Sequence, residues 1–391
     1  MRSLNIIAII ALFWSIAIGH AQSDIVSLGN LPDLVKETSG LLYYNGNLIT
    51  HNDSDNAPLL YVLDVDTRAI VRTVEIDGAV NNDWEDLSQD DDYIYIADIG
   101  NNLGDRQDLS VLRILKSNFD SSDLVSPEYI FYNYEDQFDF TPSENSDFDA
   151  EALVSMDDGL IVLTKQWQSQ ATAAYRIPKT PGNYVAENVG AYQVDGLVTG
   201  ATFDSDSSRL YLTGYSQFLF PFFIKLENVT ETAIFGDIQE RTSLSIGAAQ
   251  VESIDFVGET FYLTSEEFIN PPLLNTRSRL FSFTLDDEND NGDDIDDGND
   301  NGDGPDLPVD GNRETLIAFK PSGSAVLNYE LTTEKAIFGM GIFDSTGRMV
   351  LYVPPERIRR EQINISQLST GLHYLVFFFQ DDIAAATFFK D

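Results

Sequence analysis

The chain has 391 residues, with 23 basic against 64 acidic side chains and a formal charge of −41 at pH 7. That excess argues against a sequence-independent grip on nucleic acid or an anionic membrane surface, since both depend on cations meeting phosphates. There is no cysteine, so disulfides and thiol chemistry are excluded and core packing, with or without metal, must hold the fold.

At the N-terminus, Arg2 precedes an apolar run from Leu4 to Ile18, followed by small residues at Gly19 and Ala21. This is the pattern of a signal peptide over residues 1–21, and it predicts export and a mature protein without a transmembrane segment.

Residues 22–285 lack helical periodicity and alternate short β-rich runs with Asn, Asp, Gly and Ser turns. Five stretches share one pattern: ETSGLLYYNGNLITHND, WEDLSQDDDYIYIADIG, AEALVSMDDGLIVLTKQ, TGATFDSDSSRLYLTGY and VESIDFVGETFYLTSEE. Aligned on residues 37, 85, 151, 200 and 252, they recur at intervals of 48, 66, 49 and 52, near the period of a four-stranded propeller blade. The expected fold is therefore all-β, a β-propeller of five visible blades, with room for a sixth in the longest interval. The fifth unit lacks an outer strand, and the orphan run from Asp24 to Leu31 is predicted to supply it and close the ring.

Residues 286–312 form an acidic linker, with 12 acids among the 25 residues from Asp286 to Asp310. Such a segment cannot bury a core and repels itself into extension. Its spelling from Asp287 is close to a calcium loop, but Gly298 stands where an EF-hand needs a bidentate Glu. Residues 313–391 return to β patterning and predict a small C-terminal β-sandwich.

That last domain carries GIFDSTGRMVLYV and LSTGLHYLVFFF and ends in FFKD. It resembles the C-terminal sorting domain of the type IX secretion system of Bacteroidetes, through Asp344, Gly347 and Arg348 in the turn, Leu368 and Gly371 in the next strand, and Lys390 at the end. His373 replaces the usual Tyr, and only Pro321 remains of a usual Pro-Asn-Pro. The resemblance implies the type IX secretion machinery as partner and a secreted or surface-attached product.

Within the repeat, Glu37, Glu85, Glu151 and Glu252 occupy one register, which in a circular array puts them at one height around the channel mouth. The strand ends add His51, Asp53, Asp98, Asn101, Lys165, Tyr215, Glu266 and Glu267. Two carboxylates ~4 Å apart repel by about 4 kcal/mol at an effective dielectric near 20. Such a ring is protonated, splayed into water or neutralised by a cation, and oxygen donors favour Ca²⁺, with Mg²⁺ second. The alternative is that each Glu makes a repeated structural hydrogen bond to the next blade.

The segments THNDS (50–54), DWEDLS (83–88), ADIGNN (97–102), DAEAL (149–153) and QVESI (250–254), with Arg106, are similar to secreted bacterial propellers related to phytase-like and esterase-like enzymes. That resemblance implies calcium-dependent hydrolysis of a phosphoester or ester. The metal ligands expected are Glu37, Glu85, Asp98, Glu151, Glu252 and Glu266. Lys165 would steady developing charge and His51 would move a proton, while Asp53, Asn101, Arg106 and Tyr215 would contact substrate. A non-enzymatic propeller displaying a binding face fits the same sequence, because a fold does not choose a function.

Overall fold

Paired apolar runs separated by two-residue turns fold as antiparallel hairpins. Tyr44 and Asn47 are joined by Asn45-Gly46, both at positive φ (49° and 81°), the turn that matches strand twist. The computed structural model describes residues 25–143, 146–216, 219–270 and 274–285, and residues 315–390 except 322–323, 334, 338, 345–348, 359–360 and 380–382. The expected signal peptide and acidic linker lie outside the described residues.

The chain is all-β and propeller-like. Five antiparallel groups follow one another, each ordered from an inner strand outward. The inner strands are Thr38–Tyr44, Trp84–Gln89, Ala150–Ser155, Leu197–Asp204 and Val251–Val257. Each packs against the next, and the last packs against the first, so the inner strands close a ring. One apolar cluster lies between each neighbouring pair of groups, and the cluster of Leu31, Val35, Leu41, Leu63 and Leu280 joins the fifth group to the first. The ring is thus held by five equivalent apolar contacts rather than one central core.

Val26–Asn30 pairs antiparallel with Arg279–Thr284, so the N-terminal run becomes the outer strand of the last group. The long interval between the second and third units holds a short helix, Lys116–Ser121, and a strand, Leu124–Val125, that pairs with the outer strand of the first group. The outer strands of the second and third groups pair in parallel, which fuses these two into one eight-stranded sheet.

Every inner strand carries a β-bulge at the same place, opposite the end of its hairpin partner: Gly40, Glu85, Glu151, Thr199 and Glu252. A bulge inserts one residue and re-aims its side chain, which places Glu85, Glu151 and Glu252 in one equivalent position of their groups. The expected register needs two corrections. The first group's bulge residue is Gly40 rather than Glu37, and the fourth group's is Thr199 rather than Gly200.

Residues 315–390 form a three-stranded and a four-stranded sheet that share one cluster of buried residues, including Leu327, Tyr329, Ile342, Leu375, Phe377 and Phe388. Gly371 and Lys390 are cross-strand partners. Asp344 ends the strand Gly339–Asp344, and Gly347 and Arg348 lie outside the described residues. His373 is buried, with Nδ1 3.1 Å from the Gly371 carbonyl and its ring stacked on Phe388. No helix among the described residues is long and apolar enough to cross a membrane.

Candidate metal centre

The bulges lie at the end of the ring where the second strands finish, and there the side chains of all five groups converge. Eight buried or partly buried carboxylates gather at this mouth, Asp53, Asp83, Glu85, Asp98, Asp149, Glu151, Glu252 and Glu266, with Glu37 at its rim. Their hydrogen-bond partners sort them into two sets.

The first set is held by hydrogen bonds or an ion pair from the protein. Asp98 accepts from Arg106 Nη2 at 2.9 Å, from Asn82 Nδ2 at 3.0 Å and from the Asp83 amide at 3.1 Å. Asp149 accepts from the Asn101 amide at 2.6 Å and from Trp167 Nε1 at 2.9 Å. Glu151 receives the Lys165 ammonium, whose Nζ lies 4.8 Å from the centre of the Trp167 ring and 5.5 Å from that of Tyr215. Burial works against the Lys165 charge, but Glu151, Tyr215 and Glu252 override it and hold the lysine protonated well above its usual range.

The second set has few donors or none. Asp83, Glu85 and Glu266 accept no hydrogen bond from any described residue through their carboxylates, and Glu252 accepts one at 3.3 Å from Gln250. Asp53 accepts from the neighbouring Ser54 amide. Carboxylate oxygens of Asp53, Asp83 and Glu85 lie within 4.8 Å of one another. Burial, followed by the charges of Asp53 and Asp149, pushes Asp83 up to about 7. Burial and Asp53 push Glu266 up to about 8, and burial with Asp53 and Glu151 raises Glu85 well above the carboxylate range.

The spacing of the triad is compatible with a divalent cation such as calcium. Oxygens at ~2.4 Å from one Ca²⁺ lie up to about 4.8 Å apart, and the donors are hard oxygens without nitrogen or sulfur. The opposite wall is Gly100, where an added Cβ would stand 2.2 Å from Glu85 Oε1 and 2.3 Å from Asp83 Oδ2. The glycine leaves both carboxylates room. Its backbone is fixed by Asp83, whose carbonyl accepts from the Ile99 and Gly100 amides at 3.1 and 3.2 Å.

Several expected site residues belong elsewhere. His51 is fully buried against Trp84 at the Gly40 bulge, and burial lowers it to about 4, so it is a neutral core residue and not a proton shuttle. Glu37 lies outside the bulge register, half-exposed and paired with Lys36 and Asn56, at the rim of the cluster where its charge still acts on Asp53 and Glu266. Asp98 and Glu151 are engaged as described, and so is Arg106, which also donates to the Gly100 carbonyl at 2.7 Å and to Asp108 at 3.1 Å. Asn101 bridges Asp149, the Phe148 carbonyl and the Arg106 amide. Tyr215 is buried as a wall of the Lys165 pocket, with its hydroxyl 3.2 Å from Gln250.

Sequence reasoning missed Asp83 and Asp149. Both stand two residues before a bulge glutamate, in DWE and DAE, and Gln250 repeats the spacing in QVE. That shared spacing is the signal that would have found them.

No protein-family model matches this chain, and no curated protein matches it. Among solved structures it is similar to a glucose dehydrogenase at 10% identity and a TM-score of 0.38, over 66% of this chain and 98% of that one. It is also similar to Kuenenia stuttgartiensis hydrazine synthase, at 9% identity and 0.34 over 92% and 97% of the two chains. A third, the structure of U3-55K, gives 9% and 0.32 over 63% and 68%. Likeness at this level carries no argument about function, and the fold description rests on the sheet order above.

Proposed function

We propose that this protein is an exported five-bladed β-propeller that holds a calcium ion at its channel mouth and hydrolyses an ester there. The observation that carries the reading is the convergence of the Asp53, Asp83 and Glu85 oxygens within 4.8 Å, opposite a glycine that leaves them room. The reading of five blades is supported by five antiparallel groups whose inner strands pack in succession, the last against the first.

Asp53, Asp83 and Glu85 would hold the ion, with Glu252 and Glu266 beside them. A bound divalent cation supplies Lewis acidity toward a substrate oxygen. Glu266, unclaimed by any described donor and pushed up to about 8, is suited to take and return a proton near neutral pH. Lys165, fixed on Glu151 between Trp167 and Tyr215, gives the pocket a rigid cationic wall.

For delivery, we read residues 1–21 as a signal peptide, 286–312 as a linker and 313–391 as a β-sandwich sorting domain addressed to type IX secretion. The two C-terminal sheets sharing one apolar cluster support the sandwich reading.

A second reading, a non-enzymatic surface propeller, is favoured by one observation. Asp98, Asp149 and Glu151 are engaged by backbone, Arg106, Trp167 and Lys165, which is structural work. Thermal unfolding with Ca²⁺ or EDTA tests the calcium claim, since ligand at 100 times its dissociation constant adds about 2.7 kcal/mol. Calcium-dependent ester hydrolysis, lost in Glu266→Gln, decides between the two readings.

A further inference from the structure

We infer that the mouth selects ligands without net negative charge, neutral or cationic esters, and rejects phosphate esters; this rests on the calcium reading above. Among the described residues, the carboxylates at the mouth face two cationic side chains, Lys165 and Arg106, and both are already committed within the protein. The Lys165 ammonium is seated on Glu151 under the Trp167 and Tyr215 rings. Each nitrogen of the Arg106 guanidinium already donates once within the protein: Nη2 to Asp98, Nη1 to the Gly100 carbonyl and Nε to Asp108.

The acids at the mouth outnumber these two cations, and burial together with one another's charge already raises Asp83, Glu85 and Glu266, so the site resists any further negative charge; one divalent cation offsets two charges. Glu85, 4% exposed and accepting no hydrogen bond from a described residue, keeps its carboxylate directed into the site. A phosphate monoester brings nearly two further negative charges at neutral pH and three strong acceptor oxygens that call for cationic donors. Here those oxygens would face Glu252 and Glu266 with one cation to share. A carbonyl or hydroxyl oxygen asks only for the cation, and its neutral remainder meets no repulsion. The negative field also raises the local concentration of cationic ligands.

The test compares phenyl phosphate with phenyl acetate on the full chain loaded with Ca²⁺. Calorimetry is expected to show no binding of phenyl phosphate up to about 10 mM. The Glu252→Gln/Glu266→Gln double variant, checked for fold by circular dichroism, should bind phenyl phosphate at least ~10-fold more tightly than the natural protein. Calcium-dependent turnover of phenyl acetate but not of phenyl phosphate supports the inference. So does rejection of phenyl phosphate without turnover of either ester, provided the double variant gains phosphate affinity. Sub-millimolar binding or hydrolysis of phenyl phosphate by the natural protein overturns it, as does a double variant that gains nothing. If Ca²⁺ itself fails to bind, the calcium reading falls instead, and the control titration shows that separately.

Discussion

Asp83 and Glu85 differ from Asp98 and Asp149 only in what donates to them, and that difference predicts their responses to substitution. Asp83→Asn or Glu85→Gln removes a buried or partly buried carboxyl that accepts no hydrogen bond from a described residue and that burial and neighbouring acids hold above the usual carboxylate range. Each should abolish most of the calcium-dependent rise in melting temperature while leaving the calcium-free protein as stable or more so. Asp98→Asn, by contrast, should destabilise the protein with or without calcium, because it weakens the clamp from Arg106 and the Asp83 amide. Gly100→Ala places a methyl carbon within 2.3 Å of both ligand carboxylates. It should weaken Ca²⁺ binding by at least ~10-fold, or about 1.4 kcal/mol, measured by calorimetry. In the sequence, Glu85 and Glu266 stand out as repeated or strand-end acids expected to hold metal, and Asp53 as one expected to contact substrate. Which acids are already engaged was not legible there, because Asp98 is claimed by Arg106 eight residues away and Asp149 by Trp167 from another strand end. Neither partner is marked by a motif.

At the scale of elements, the recurring bulge explains both the site and the misplaced Glu37. The strand pattern identifies which residues alternate, but a one-residue bulge shifts the count by one without changing apolar periodicity. In the first group the slot holds Gly40 because His51 fills the space, with its Nε2 2.6 Å from where a Cβ would stand. Further down the inner strands, carboxylates tie neighbouring groups together. Asp86, fully buried, accepts from the Leu87 and Leu153 amides, each at 2.8 Å. Asp86→Ala leaves two buried amides unsatisfied and should cost about 3 kcal/mol in urea unfolding. Asp255 accepts from the Tyr43 amide at 2.6 Å and the Thr202 hydroxyl at 2.8 Å, and burial pushes it up to about 6. Its folded pKa lies above its unfolded value, so its contribution is fully present below about pH 4 and is lost as pH rises through 6. Unfolding free energies between pH 4 and 7 should therefore fall for the natural protein relative to Asp255→Asn, by on the order of 3 kcal/mol. A pH-independent difference would reject this protonation state.

On the scale of the whole molecule, closure of the ring depends on the N-terminal strand. Deleting Val26–Asn30 strips the fifth group of its outer strand and exposes the edge of Arg279–Thr284. Urea unfolding of that deletion should lose cooperativity or shift to a lower midpoint. An unchanged transition would mean that the five apolar contacts hold the ring alone. This closure was readable from the orphan run and the missing strand. The parallel pairing that fuses the second and third groups was not, since outer strands there alternate apolar and polar residues and nothing in their sequence names a partner. The high negative charge has its local counterpart at the mouth, where the ring's geometry concentrates acids that the linear sequence spreads over more than 200 residues. The central claim is that this concentration exists to hold one divalent cation. It is tested most directly by calorimetric titration of Ca²⁺ into the full chain and into Asp83→Asn. The account predicts saturable binding that weakens at least ~10-fold in the variant. No binding, or equal binding by both proteins, would contradict it.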